Sequence, residues 1–253
     1  MKKIAIYTVI VDDYDSLKEP LHVQIREEAD FYCFTNNPIT SDFYTIVPIQ
    51  KMFSDAALTN RYYKILSHPC LNNYEYTIYL DGSLQVITNT FRKLIYQILG
   101  NNDLSVFKHQ GRSCVYEEAK AIIYRRRAAY KSVYNHVKRY RQEKYPENVG
   151  LIEATAIIRN NQSSRVKEFV QMWWDEFYNN AHRDQLSFNY IHWKYPLRLT
   201  FVSGTVADNE FFKKHYRPTK LPSKSLHEKL VSRYWAIKVD LLNGKFKFGS
   251  YVE

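Results

Sequence analysis

Tyr76-Thr77-Ile78-Tyr79-Leu80-Asp81-Gly82-Ser83 is the stretch on which the fold turns. Aromatic, β-branched and aliphatic residues end abruptly in an acid and a glycine, the pattern of a buried strand that stops at a turn. Similar short apolar runs occupy 4–11, 30–35, 43–49, 104–108 and 150–158. Helical patterns separate most of them. Residues 56–68 set Leu58, Tyr62, Ile65 and Leu66 on one face, and 89–99 has helical character. The segment 115–144 reads as a long basic helix or a broken pair, and 164–180 repeats Val166, Phe169, Val170, Trp173 and Phe177 at helical spacing. A further helix begins near Asp184. This alternation predicts an α/β fold, a mainly parallel central sheet with helices on both faces. Ligands of such sheets bind beyond the carboxyl ends of the strands, so chemistry is expected there.

Working outward, the 253 residues contain no repeat, low-complexity tract or glycine-serine linker, which predicts one domain over 1–253. Lys and Arg outnumber Asp and Glu by 36 to 26, a formal charge of +10 that favours an anionic partner: nucleic acid, lipid surface or phosphorylated substrate. Cys33, Cys70 and Cys114 stand far apart without zinc spacing. Neither a disulfide framework nor a structural zinc is indicated, and a reducing, cytoplasmic setting is expected. The longest apolar stretch, Ile4 to Val11, falls far short of the roughly 20 residues of a membrane span. It runs into Asp12 and Asp13 rather than a cleavage site, so it reads as a first strand and not a signal peptide. No GxGxxG follows it, and no P-loop pattern occurs anywhere, so neither nucleotide-binding fold is supported.

Six segments could carry chemistry. Asp81 at a strand end can hold a divalent cation or a ribose hydroxyl, with Gly82 allowing close approach, while Asp-Gly is equally a common turn. Arg61, Lys64 and His68 share one helix face and could grip a diphosphate or simply face solvent. His109 and Arg112 leave the 104–108 strand near the same crevice, where an ordinary polar loop explains them equally well. Glu153 shares a strand face with Thr155, opposite Ile152, Ala154, Ala156 and Ile158; such a carboxylate needs a partner, so function and an ion pair to arginine compete. His182, Arg183, Asp184 and Gln185 crowd a helix start at which Asp184 is either a cap or a functional acid. From 124 to 145, Arg125, Arg126, Arg127, Lys131, Lys138, Arg139, Arg141 and Lys144 interleave with Tyr130, Tyr134 and Tyr140. That pattern suits single-stranded nucleic acid or anionic lipid, but Tyr130, Val133, Tyr134 and Val137 at core spacing favour inward tyrosines and a solvated basic face.

Taken in order, Ile4-Ala5-Ile6-Tyr7-Thr8, Asp15 to Pro20, Phe31 to Thr35, Arg61-Tyr62-Tyr63-Lys64-Ile65-Leu66-Ser67-His68-Pro69, Leu80-Asp81-Gly82, Phe107-Lys108-His109 with Tyr116-Glu117-Glu118-Ala119, Gly150-Leu151, Ile157-Ile158-Arg159, Trp173-Trp174 and Arg183 to Tyr190 form a series. It resembles a glycosyltransferase family, long catalogued as a domain of unknown function, that includes plant mucilage-related enzymes and many bacterial proteins. The likeness runs from about residue 4 to about residue 193; residues 194–253 carry no matching motif and read as an extension of the same domain.

The resemblance implies a GT-A fold and sugar transfer from a nucleotide-sugar donor, a UDP-sugar being expected, to a glycan or lipid-linked acceptor in polysaccharide biosynthesis. Such enzymes place a DxD motif at a strand end to hold Mn2+ or Mg2+. Here Asp81-Gly82-Ser83 occupies that place without the second acid, leaving Asp81 and Ser83, with His215 as a closing ligand, for the metal. Asn36 stands where an Asp is expected for nucleoside contact. The donor would be held by Arg61, Lys64, His68, Asp81, Gly82, Ser83, His109, Arg112, Arg183 and Gln185. Asp184, or alternatively Glu153, would orient or deprotonate the acceptor hydroxyl. The basic surface would keep the enzyme at anionic lipid on the inner face of the membrane, with no nucleic acid expected. A sugar nucleotidyltransferase needs a glycine-rich loop after its first strand, which Val9 to Tyr14 lacks. A non-catalytic nucleic-acid-binding protein using 124–145 is the rival from another class.

Overall fold

The computed structural model describes residues 3–216 and 224–244. In chain order the regular elements are β1 (Ile4–Ile10), β2 (Ala29–Thr35), β3 (Thr45–Pro48), α1 (Ala56–Leu66), β4 (Tyr76–Leu80), β5 (Leu84–Val86), β6 (Leu104–Lys108), α2 (Val115–Tyr124) and α3 (Tyr130–Gln142). Then come β7 (Ile152–Asn160), α4 (Ser164–Tyr178), α5 (Asp184–Lys194), β8 (Leu199–Phe201), β9 (Phe212–Lys214) and α6 (Leu226–Leu242). The segment Lys93–Leu99 is π-helical. The basic stretch after residue 115 is the broken pair, parted at residues 125–129 where Arg126 takes a φ of 53°.

Seven strands form one sheet in the order β3-β2-β1-β4-β7-β6-β8, and β5 pairs with β9 in a small second sheet. The large sheet is mixed α/β in character and mostly parallel, as the alternating pattern predicts. Only β7 runs antiparallel, to both β4 and β6. The apolar run of β1 is buried throughout, and its alternation divides the core. Ala5, Tyr7 and Val9 join a cluster with residues of all six α-helices. Ile4, Ile6 and Ile10 join one with Leu94, Ile95 and Leu99 of the π-helical segment and with Leu84, Val86 and Phe212 of the small sheet. Both faces are covered, but unequally: the α-helices pack on one, a single π-helical segment and a two-stranded sheet on the other.

Arg159 ties the sheet to α1. It is 2% exposed, and its guanidinium donates to the Lys64 carbonyl at 2.5 Å, the Ile65 carbonyl at 3.3 Å and Ser67 Oγ at 3.1 Å. The same group donates to the Tyr7 hydroxyl. The last carbonyls of α1, which lack partners inside the helix, are satisfied this way, and the helix is fixed end-on to β7 and β1. Asp55 caps the other end, accepting the Ala57 N–H at 2.7 Å.

Candidate active site

Because β1, β4 and β6 run one way and β7 the other, three strand ends and one strand start meet at the same edge. There a cavity of about 420 Å³ opens. Tyr14 and Asp15 follow β1 into it, Asp81, Gly82 and Ser83 follow β4, His109 and Arg112 follow β6, and Glu153 and Thr155 open β7. The helical layer adds Arg61 and Lys64 from α1, Glu118 from α2, Arg125 and Arg127 from the link before α3, and Arg183, Asp184 and Gln185 at the start of α5. Lys214, His215 and Tyr216 close the far wall.

At its floor Lys64 Nζ meets Asp184 Oδ2 at 2.7 Å and lies 3.7 Å from Asp81 Oδ1, and Arg61 Nε reaches the same Asp184 oxygen at 3.3 Å. Burial alone would raise the Asp184 carboxyl, but the Lys64 and Arg61 charges, with Arg183 behind them, hold it far below the usual carboxylate range. Its other oxygen accepts the Gln185 N–H at 3.1 Å. An acid with so little affinity for a proton is a poor general base. The base role expected of Asp184 does not suit this geometry; the residue positions Lys64 and Arg61. Nor is it the cap: Arg183 occupies that position, with no capping side-chain bond.

Glu153 has a different setting. Its Oε1 lies 3.2 Å from Lys214 Nζ, and its side chain is 21% exposed to the cavity. The straight alternation expected of this strand breaks at a bulge: Val106 pairs with Ile157, but Phe107 pairs with Glu153. Consequently Ala154 joins the helix-side cluster and Ala156 the opposite one, while Ala154 and Thr155 both line the cavity. The Thr155 carbonyl accepts the Asp81 N–H at 2.8 Å, joining the bulge to the β4 turn.

Arg125, Arg127 and Arg183 line the cavity, and none forms an ion pair among the described residues. Arg183 Nε is buried without an acceptor. Burial lowers its guanidinium against the opposing pull of Asp184, and the Arg61 and Arg127 charges lower it further. Arg112, by contrast, is paired with Glu118 at 2.5 Å and contacts His109 Nε2 at 3.0 Å. Burial, then the Arg112 charge, lowers His109 and favours its neutral form.

His68 does not share the face of Arg61 and Lys64. The helix ends at Leu66, Ser67 turns the chain at a φ of 67°, and the His68 ring stacks on Phe34 at 4.6 Å. Its Nδ1 accepts the Cys70 N–H, so this residue is a structural cap. Asn36 also lies off the cavity lining: its amide bonds Asp12, donating at 2.9 Å and accepting at 2.8 Å. At Gly82 a Cβ would sit 2.7 Å from Asp15 Cβ and Cγ, so the glycine admits the Asp15 side chain rather than a ligand.

The expected metal ligands do share a wall, since the His215 N–H donates to the Ser83 carbonyl at 2.8 Å. Two of their donor atoms have other partners. Asp81 Oδ1 accepts the Tyr79 hydroxyl at 2.6 Å and faces Lys64, while His215 Nε2 contacts Gln85 Oε1 at 2.9 Å. Among the described residues no three His, Cys, Asp or Glu side chains converge as a metal-binding group. These side chains do not by themselves form a closed ligand set for Mn2+ or Mg2+.

Sequence reasoning missed Tyr14, Asn60, Lys214 and Tyr216 as lining residues and read Arg125 and Arg127 as part of a solvated face. In that same run Tyr140 is buried, and Tyr130 and Tyr134 pack on the core as expected.

Residues 36–217 match the family model described as TOD1/MUCI70, glycosyltransferase-like domain. One similar solved structure is described as "WbbM bifunctional glycosytransferase apo structure"; it is 12% identical, with a TM-score of 0.47, over 79% of this chain and 39% of that chain. The chain thus spans well under half the length of that neighbour. No curated protein sequence matches.

Proposed function

From the premise that this chain belongs to the TOD1/MUCI70 glycosyltransferase-like family, we propose that it transfers a sugar from a nucleotide-sugar donor, with UDP as leaving group, to a hydroxyl of a glycan or lipid-linked acceptor in polysaccharide biosynthesis. The observation that carries this reading is the trio Arg125, Arg127 and Arg183, cations that line the cavity beyond the strand ends without an ion-pair partner among the described residues. A diphosphate supplies the acceptors they lack. Tyr14 and Tyr216, both 72% exposed at the cavity, offer faces on which a nucleobase can stack. The acceptor oxygen attacks the anomeric carbon as the bond from that carbon to the diphosphate oxygen breaks. Its proton passes to Glu153, and the electron pair leaves with the diphosphate, whose growing charge the arginines meet.

Calorimetric titration with UDP in EDTA is expected to show binding, because side-chain cations at the cavity take the place of a metal. Arg125→Ala, which removes an exposed side chain from the cavity, should weaken it about tenfold, the worth of one charge-assisted contact. Unchanged affinity would remove the arginines from the diphosphate site, and loss of binding in EDTA would restore the divalent cation.

The three thiols are unpaired, in keeping with a cytoplasmic setting. No helix of the described residues is long and apolar enough to cross a membrane. On α6, however, Leu226, Leu230, Tyr234 and Leu241 are exposed, with Lys229 and Arg233 beside them. An apolar stripe flanked by cations suits the surface of an anionic bilayer, where lipid-linked acceptors reside. Co-sedimentation with phosphatidylserine vesicles should therefore exceed that with phosphatidylcholine, weaken with salt and fall in Leu230→Glu. Equal partitioning to both vesicles would overturn the electrostatic part of this reading.

A further inference from the structure

A second cavity, about 390 Å³, adjoins the first, and Arg61, Arg127 and Arg183 line both. Three guanidinium groups therefore stand in a shared wall, two of them without an ion pair among the described residues. The second cavity is walled otherwise by the first turns of α1 and α3 and the end of α4, through Leu58, Ala129, Ser132 and Phe177. The one carboxylate among its described lining residues, Asp55, accepts the Ala57 N–H at Oδ1. Ala129 stands at the N-cap of α3 and has no capping side chain, so the N–H groups of the first turn lack the acceptor a Ser, Thr or Asp would supply. The positive end of the helix dipole adds to the same field. Arg127 is exposed, but Arg183 Nε is buried without an acceptor, which is costly, and an arriving anion removes that cost.

We infer that the second cavity is the acceptor subsite and takes an acceptor bearing an anionic group, phosphate or carboxylate, beside the reacting hydroxyl. The inference rests on reading the first cavity as the donor site. The anion sits against Arg127, Arg183 and the start of α3, and the hydroxyl reaches through the arginine wall toward the donor sugar. A guanidinium carries five N–H donors, so Arg127 and Arg183 serve the diphosphate and the acceptor's anion together; an uncharged acceptor leaves the remaining donors unsatisfied and is discriminated against for that reason.

The test titrates inorganic phosphate into protein already saturated with UDP. Phosphate is expected to bind the loaded protein, and Ser132→Asp should weaken it by about tenfold or more while UDP affinity is unchanged. An acid in the first turn favours the helix, so misfolding does not explain such a loss. Glucose 1-phosphate and glucuronate should each displace the phosphate, the stronger of the two telling a phosphate acceptor from a carboxylate one. Failure of phosphate to bind the UDP-loaded protein, indifference to Ser132→Asp, or equal displacement by plain glucose would each overturn the inference. If UDP itself does not bind, the donor reading fails separately, and phosphate binding lost in Ser132→Asp still supports an anion site in the second cavity.

Discussion

Glu153→Gln is expected to lower sugar transfer by about 10²- to 10⁴-fold, the usual contribution of a general base, while melting temperature and UDP affinity stay near those of the parent. Other carboxylates at the cavity have partners of their own, Asp15 accepting the Ser16 N–H at 3.2 Å. Asp184 is clamped by Lys64 and Arg61, Glu118 by Arg112, and Asp81 takes the Tyr79 hydroxyl. Glu153 meets only the Lys214 ammonium among its described partners and remains open to the cavity. Glutamine keeps the shape and can still accept from Lys214, but it cannot take a proton from an incoming hydroxyl. Steady-state kinetics at saturating donor decide the matter. Full turnover in the variant would mean that proton transfer does not use this residue.

Asp184→Asn should act on stability first. Removing the carboxylate leaves Lys64 and Arg61 facing one another in a buried site, and breaking such a pair costs about 3–5 kcal/mol. The sign of the pH dependence follows from the direction of the shift. Burial opposes the charged form, yet the Lys64 and Arg61 charges dominate and depress the folded-state pKa far below the unfolded value of about 3.9. Stability from this ionisation is therefore complete above that unfolded value and is lost as the pH falls toward the folded one. The gap in melting temperature between parent and variant should be widest near neutral pH and narrow below about pH 4. A gap that holds constant at pH 3 would show that the carboxylate charge is not what stabilises the fold.

The parts of this architecture legible in the sequence are those written in short-range patterns. The apolar runs at 4–10 and 76–80 locate strands directly, and the acid after Leu80 marks a strand end where parallel sheets gather ligands. Asp81, Arg61, Lys64, His109 and Arg183 meet at one cavity because that rule is topological. What escaped depends on less local geometry. His68 precedes Pro69, a signal that the helix stops before it, but extending the helical wheel through the boundary put it on the wrong face. The bulge opposite Phe107 has no glycine to announce it, so alternation across Glu153 to Ile158 read as regular. Lys214 and Tyr216 reach the cavity because three-residue β9 pairs with three-residue β5 across some 130 residues of chain, and strands that short have no period to read. Arg125 and Arg127 were hidden by a helix break at Arg126, a residue that seldom takes positive φ.

The placement of β7 has a consequence for the order in which the molecule can be assembled during synthesis. β6 leaves the ribosome before β7, yet it reaches β4 only through β7. A nascent chain that has not reached Ile152 therefore carries an open edge on β4 and another on β6, each a template for pairing with a second copy. It also lacks Arg159, so the carbonyls at the end of α1 await a donor encoded about ninety-five residues later. Sheet closure and helix anchoring arrive together, late and through distant contacts, which is the topology of a slow folding step. The arginines of the cavity wall precede β7 or follow it in the chain, and they acquire a common floor only when that strand slots between its neighbours.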